Sequence, residues 1–226
     1  MVQALFALVF VSICLPVLIE LVRSGGKCEA ALIRFGTPGR IAISLFLLAI
    51  GAAGARLLPE DSFVIIKVLH NAIFEYLIQV PIHETGHFLF MPLGTTMHIL
   101  GGSLMELLLP GLFAAYFFTR QYSCLGSIFL FITGSHLVHI AEYMSSAHDP
   151  KSILLLSLEQ SPETHDWFQL FTRAGVLESD TAIAWYVRLA GFFVMALALA
   201  ALFVLAENGD TEVSNTEVST GQSTGA

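Results

Sequence analysis

Long apolar stretches dominate the chain. Residues 1–19, 41–55, 85–105, 107–119, 121–141 and 189–206 contain no Asp, Glu, Lys or Arg. A helix crosses the hydrocarbon of a bilayer with roughly 20 mostly apolar residues. The pattern therefore predicts spans over 2–22, 41–58, 68–91, 102–119, 123–143 and 183–206. The expected fold is an all-α polytopic membrane helix bundle of about six transmembrane helices, with the lipid bilayer as solvent. Residues 1–206 are read as a single transmembrane helical domain. The connection 144–182 holds Trp167, Phe168, Leu170 and Phe171, enough apolar surface to fold back onto the membrane face. Residues 207–226 carry no aromatic side chain and repeat Thr-Glu-Val-Ser, which predicts a disordered polar tail.

Composition agrees with a lipid-solvated chain. Hydrophobic residues make up 55% and charged residues 12%, against about 25% charged in an ordinary soluble domain. The formal net charge of −8, with no basic cluster able to track a phosphate backbone, gives no sign of a nucleic-acid partner. Cys14, Cys28 and Cys124 are far apart and form no CxxC, so no disulfide framework is expected.

Charge also suggests an orientation in the cell membrane. Arg23, Lys27, Arg34 and Arg40 follow the first apolar run, and short loops rich in Lys and Arg stay cytoplasmic. On that rule residues 23–40 lie inside. Counting spans then places 144–182 on the same cytoplasmic side, with the active site near it, and the C-terminus outside. Arg120, in the turn assigned to the outside, runs against this placement.

The densest chemistry is His83-Glu84-Thr85-Gly86-His87. Histidines four apart share one helix face and can hold one metal ion, here read as Zn2+, while Glu84 beside them can take a proton from an activated water. Pro81, two residues ahead, disturbs the helix near the ligands. Gly86, between the ligands, lets another backbone come close. Gly94, Gly101 and Gly102 flank the turn into the next span, so residues 83–106 read as a tight helical hairpin. A catalytic zinc usually takes three protein ligands. The third is expected at Asp166 or His165 in the Thr-His-Asp-Trp-Phe stretch, with His148-Asp149, His98, His136 and His139 as further candidates. Glu106 can orient a ligand or pair with Arg188, and His136 and His139, three apart, can form a second box.

These residues resemble the site-2 protease type of zinc intramembrane peptidases. More closely, they resemble small bacterial membrane proteins with HExGH, then GGS with a polar residue three further on and Leu-Leu-x-Pro, then His-Asp-Trp. Here the matching pieces are His83 to His87, Gly101-Gly102-Ser103 with Glu106 and Leu107-Leu108-Leu109-Pro110, and His165-Asp166-Trp167, within residues 80–170. The resemblance implies His83 and His87 as zinc ligands, Glu84 as general base, and a membrane-protein or peptide substrate. The site-2 proteases draw their third ligand from an Asp-Gly within a later span. This chain has no such pair in a membrane segment, so the third ligand stays open.

Two other readings use the same residues. A di-iron His-box membrane oxidase or desaturase would draw on His136, His139, His148 and His165 as well. Such sites call for two Glu-x-x-His units, and Glu84-Thr85-Gly86-His87 supplies one. The other is a non-enzymatic membrane protein whose metal braces the hairpin.

Overall fold

The computed structural model describes residues 12, 15–54, 78–150, 154–155, 158–159 and 161–222. They are helical almost throughout: α1 (Leu15–Arg34), α2 (Gly36–Gly54), α3 (Val80–Phe90), α4 (Thr95–Thr119), α5 (Ser123–Ser145), α6 (Asp166–Ala174) and α7 (Asp180–Gln222). Between α5 and α6 lies a minimal antiparallel pair, β1 (Leu154–Leu155) with β2 (Leu158–Glu159), in which Leu155 faces Leu158.

Three helical segments among the described residues are long and apolar enough to cross a membrane: Thr95–Thr119, Ser123–Ser145 and Leu177–Val204. A fourth span results if α1 and the first part of α2, bent by 108° at their junction, count as one. Three of the six expected spans thus coincide with α4, α5 and α7. The stretch 68–77 of the expected third span, and most of the first half of 2–22, lie outside the described residues.

Apolar clusters hold the helices together, two of them centred on α5. At mid-height Leu47, Phe131, Val138, Met195 and Ala198 join α2, α5 and α7. Toward the C-terminal end of α5, Ile140, Met144, Ala147, Phe171 and Ala184 bind α6 against α5 and α7. Small residues set the closest approach of α5 and α7. A Cβ on Gly134 would stand 2.8 Å from the Gly191 carbonyl oxygen, and one on Gly191 equally close to that of Gly134. Small-residue contacts of this kind let membrane helices pack by their backbones.

The basic stretch after the first apolar run is not a loop. Residues 15–34 form one amphipathic helix, because Leu18, Val22, Gly25, Glu29 and Leu32 recur at helical spacing on one face. Gly25 abuts Phe117 and Tyr122, and Glu29 is buried with its carboxylate accepting the Cys124 and Leu125 N–H groups at 2.8 and 3.0 Å. Glu29 thereby satisfies free donors at the start of α5 and places negative charge at that helix's positive end. Leu32, Ile33 and Ile43 pack against Cys124 and Leu202 at the same end.

The expected topology needs correction. α5 is about 34 Å long at 1.5 Å per residue; residues 25–43, the α4–α5 turn with Arg120, and Leu202 gather at its start. The described residues of the 144–182 connection lie at its far end, where His165 reaches Ser146 and His148 reaches Asp180. Residues 23–40 and the described residues of 144–182 are therefore at opposite ends of the bundle. The chain beyond Leu202 leaves at the basic end, not at the end opposite it. Counting spans fails because it treats the basic stretch as a loop between two crossings. The helical backbone of α7 also continues to Gln222, through most of the segment expected as a disordered tail. Once the apolar part has nucleated, each further residue adds one backbone hydrogen bond.

Candidate metal centre

The motif lies on α3, whose helix faces α4 across an unusually short gap. A Cβ on Gly86 would come within 2.6 Å of Met105 Cβ and collide with the Gly101 carbonyl oxygen. A Cβ on Gly101 would stand 2.6 Å from the Gly86 oxygen. Gly102 makes room for the ligand itself, since a Cβ there would fall against the His83 ring, 2.6 Å from its Cε1. The hairpin turns at Gly94, whose φ of 99° suits glycine.

Each histidine of the motif has its Nδ1 committed. His83 Nδ1–H donates to Glu106 Oε1 at 2.5 Å. His87 Nδ1–H donates to the His98 carbonyl oxygen at 2.7 Å, while His98 Nδ1–H returns to the His87 carbonyl at 2.8 Å. These bonds commit Nδ1 of each ring as a donor, so Nε2 is the atom each ring offers a metal ion, by its lone pair once the ring is neutral. Both Nε2 atoms face one oxygen: Asp166 Oδ2 lies 3.0 Å from His83 Nε2 and 3.2 Å from His87 Nε2. Three lone pairs converging on one point repel unless a cation or protons stand between them. Ligand atoms of a tetrahedral zinc at 2.0–2.1 Å are separated by about 3.3–3.4 Å, close to what these residues already show. His83, His87 and Asp166 can hold a metal ion, their ligand atoms lying within 4.8 Å of one another, and among the described residues no other three His, Cys, Asp or Glu side chains come together so closely.

Asp166 is placed by α6. Its backbone N–H donates to the Tyr143 hydroxyl at 3.1 Å, and Trp167 Nε1–H donates to Ser103 Oγ at 3.2 Å, tying α6 to the Gly101-Gly102-Ser103 turn of α4. With no ion between Asp166 and the two imidazoles, protons on the two Nε2 atoms take that place: burial pushes the Asp166 carboxyl up, but hydrogen bonds from His83 and His87 outweigh it and hold it at about 2. Metal uptake at such a site displaces protons.

His165, expected as an alternative or additional ligand, does not reach the ion site. It is fully buried as the N-cap of α6, where its Nδ1 accepts the Phe168 N–H at 3.1 Å. Its Nε2–H donates to Ser146 Oγ at 3.0 Å, that hydroxyl being spent on the Tyr143 carbonyl. Burial lowers its pKa to about 4, which suits a neutral cap. The adjacent side chains diverge at a helix start, so only one can face the motif.

The other candidates are engaged elsewhere. His148 Nδ1–H and N–H both donate to Asp180 Oδ2, at 2.5 and 3.1 Å. His136 Nδ1–H donates to the Glu106 carbonyl at 2.8 Å. That carbonyl has lost its usual partner because Pro110, four residues on, has no N–H. Glu106 does not pair with Arg188. It is buried, and its second oxygen accepts Gln79 Nε2–H at 2.8 Å, while the same amide reaches His139 Nδ1 at 2.5 Å. Sequence reasoning misses Gln79 and Tyr143. Gln79 is legible in principle, because 79, 83 and 87 share one helix face; Tyr143 leaves no local signal.

Glu84 is half-buried on the same helix, and among the described residues no hydrogen bond or ion pair holds its carboxylate. No protein-family model, curated protein or solved structure matches the chain. The site must therefore be read from its own chemistry.

The carboxylate behind His83 is expected to matter measurably. Outer partners of a metal-bound imidazole fix its orientation and raise its basicity, and their loss typically costs 10–100-fold in metal affinity. Glu106→Gln should weaken metal binding by about that factor without abolishing it, as read by competition with a fluorescent chelator. Unchanged affinity would show that Glu106 braces the fold only.

Proposed function

We propose that this protein is a membrane-embedded zinc-dependent metallopeptidase that hydrolyses a peptide bond in or near the membrane. The observation that supports it is the convergence of His83 Nε2, His87 Nε2 and Asp166 Oδ2 on one point, with Glu84, the next residue along the helix, held by no hydrogen bond or ion pair among the described residues. Two neutral imidazoles and one carboxylate suit zinc and leave a coordination position open. Zinc in such a site acts as a Lewis acid that lowers the pKa of water toward about 7.

The chain's own residues do the rest. Glu84 takes the proton of the attacking water as its oxygen adds to the scissile carbonyl carbon, and then delivers that proton to the amide nitrogen as the C–N bond breaks. Glu106 holds the His83 ring at Nδ1, and the His98 carbonyl holds His87 in the same way. Tyr143 and Trp167 fix the helix that delivers Asp166. The di-iron alternative draws no support from this arrangement, since its remaining imidazoles serve as a helix cap and as partners of Asp180, Gln79 and a backbone carbonyl.

The test is cleavage of a membrane-anchored peptide by purified protein in vesicles. Cleavage should stop with a zinc chelator and return when zinc is restored. Cleavage that persists in chelator would rule the reading out.

A further inference from the structure

The two ends of the bundle differ in charge and in surface. Arg23, Lys27, Arg34, Arg40 and Arg120 all belong to the end where α1 meets the α4–α5 turn. At the end that carries the metal group, the described Lys and Arg residues are Arg173 and Arg188, the latter two turns inside α7. Arg56, Lys67 and Lys151 lie outside the described residues. The excess of Lys and Arg in short segments beside membrane spans marks the cytoplasmic side, whereas Asp and Glu contribute little. The metal group thus sits at the end with the weaker claim to face the cytoplasm.

That end also carries an apolar tip. Phe88, Leu89, Met91, Leu93 and Met97 are exposed around the turn from α3 to α4, and no charged residue occurs between Thr85 and Met105. The tip continues the exposed apolar face of α4 at Leu108 and Leu112. Lipid is the surface that fits such a turn, and the metal group lies just behind it: His87 is braced to His98 in the first helical turn of α4, and His83 lies one helical turn deeper against Gly102.

We infer that the site works from the non-cytoplasmic leaflet, and that its substrate is a peptide segment anchored in that leaflet, reaching the metal group past the 88–97 tip. The substrate class rests on the hydrolytic reading above; the placement does not.

Placement is tested by labelling intact cells with a membrane-impermeant maleimide, using the full chain with Cys14, Cys28 and Cys124 replaced by alanine. Glu163→Cys and Thr172→Cys, both exposed at the metal end, should label as fully in intact as in lysed cells. Thr37→Cys and Thr119→Cys, exposed at the basic end, should label only after lysis. The reverse pattern overturns the placement whatever the enzyme assay shows. Immersion of the tip is tested with a nitroxide at Leu93→Cys in vesicles. Relaxation by oxygen and not by a water-soluble nickel chelate is expected; strong relaxation by the chelate would remove the leaflet-anchored route.

Discussion

Asp166→Ala is expected to release the metal almost completely. Asp166 Oδ2 is the shared neighbour of both imidazole nitrogens. It also brings the sole carboxylate among the three candidate ligands, so its loss would leave a divalent ion with two imidazoles in a largely buried site, where uncompensated charge is costly. The affinity loss should exceed the roughly 10–100-fold expected for an outer partner such as Glu106. His165→Ala gives the contrast. It deletes a helix cap and a buried bond to Ser146, and reaches the ion only by loosening α6. Metal content after desalting should therefore rank wild type, then His165→Ala, with Asp166→Ala far below. If the two alanine variants lose metal equally, Asp166 is not a ligand distinct from its neighbour.

The other large effect is on turnover. Glu84→Gln keeps the size and hydrogen-bonding capacity of the side chain but removes the group that carries the proton. Positioned acid–base groups contribute about 10²–10⁴-fold, so peptide cleavage should fall by that factor. Because Glu84 contributes no contact to the ligand group among the described residues, metal content should not change. Cleavage at the wild-type rate would show that another group moves the proton. Loss of metal alongside activity would show that Glu84 is a ligand.

Local patterns in the sequence carry much of this site. Histidines four apart on a helix must share a face, and glycines at 86 and 101 anticipate a close approach in which a Cβ on either would collide with the other's carbonyl oxygen. The choice between His165 and Asp166 is not legible. It depends on Ser146 and the Phe168 N–H capturing His165 while Tyr143 holds the backbone of Asp166, contacts that bridge α5 and α6. The basic stretch misleads for a related reason. Arg23, Lys27 and Arg34 look like a loop when charges are counted, but their solvated positions alternate with Gly25, Glu29 and Leu32 on the buried face of one helix. Glu29 looks like another surface charge until its carboxylate is seen on the Cys124 and Leu125 N–H groups. Gln79 shares a helix face with His83 and His87, but its partners Glu106 and His139 come from other helices and only the fold shows them.

The most direct measurement is the X-ray absorption spectrum of zinc bound to the purified protein, taken with elemental analysis of the same sample. Bound zinc should be ligated by two imidazole nitrogens and one carboxylate oxygen at about 2.0–2.2 Å, with the carboxylate contribution missing in whatever zinc Asp166→Ala retains. A protein that retains no zinc, or a shell without that carboxylate in the wild type, would contradict the assignment of His83, His87 and Asp166 as a metal site.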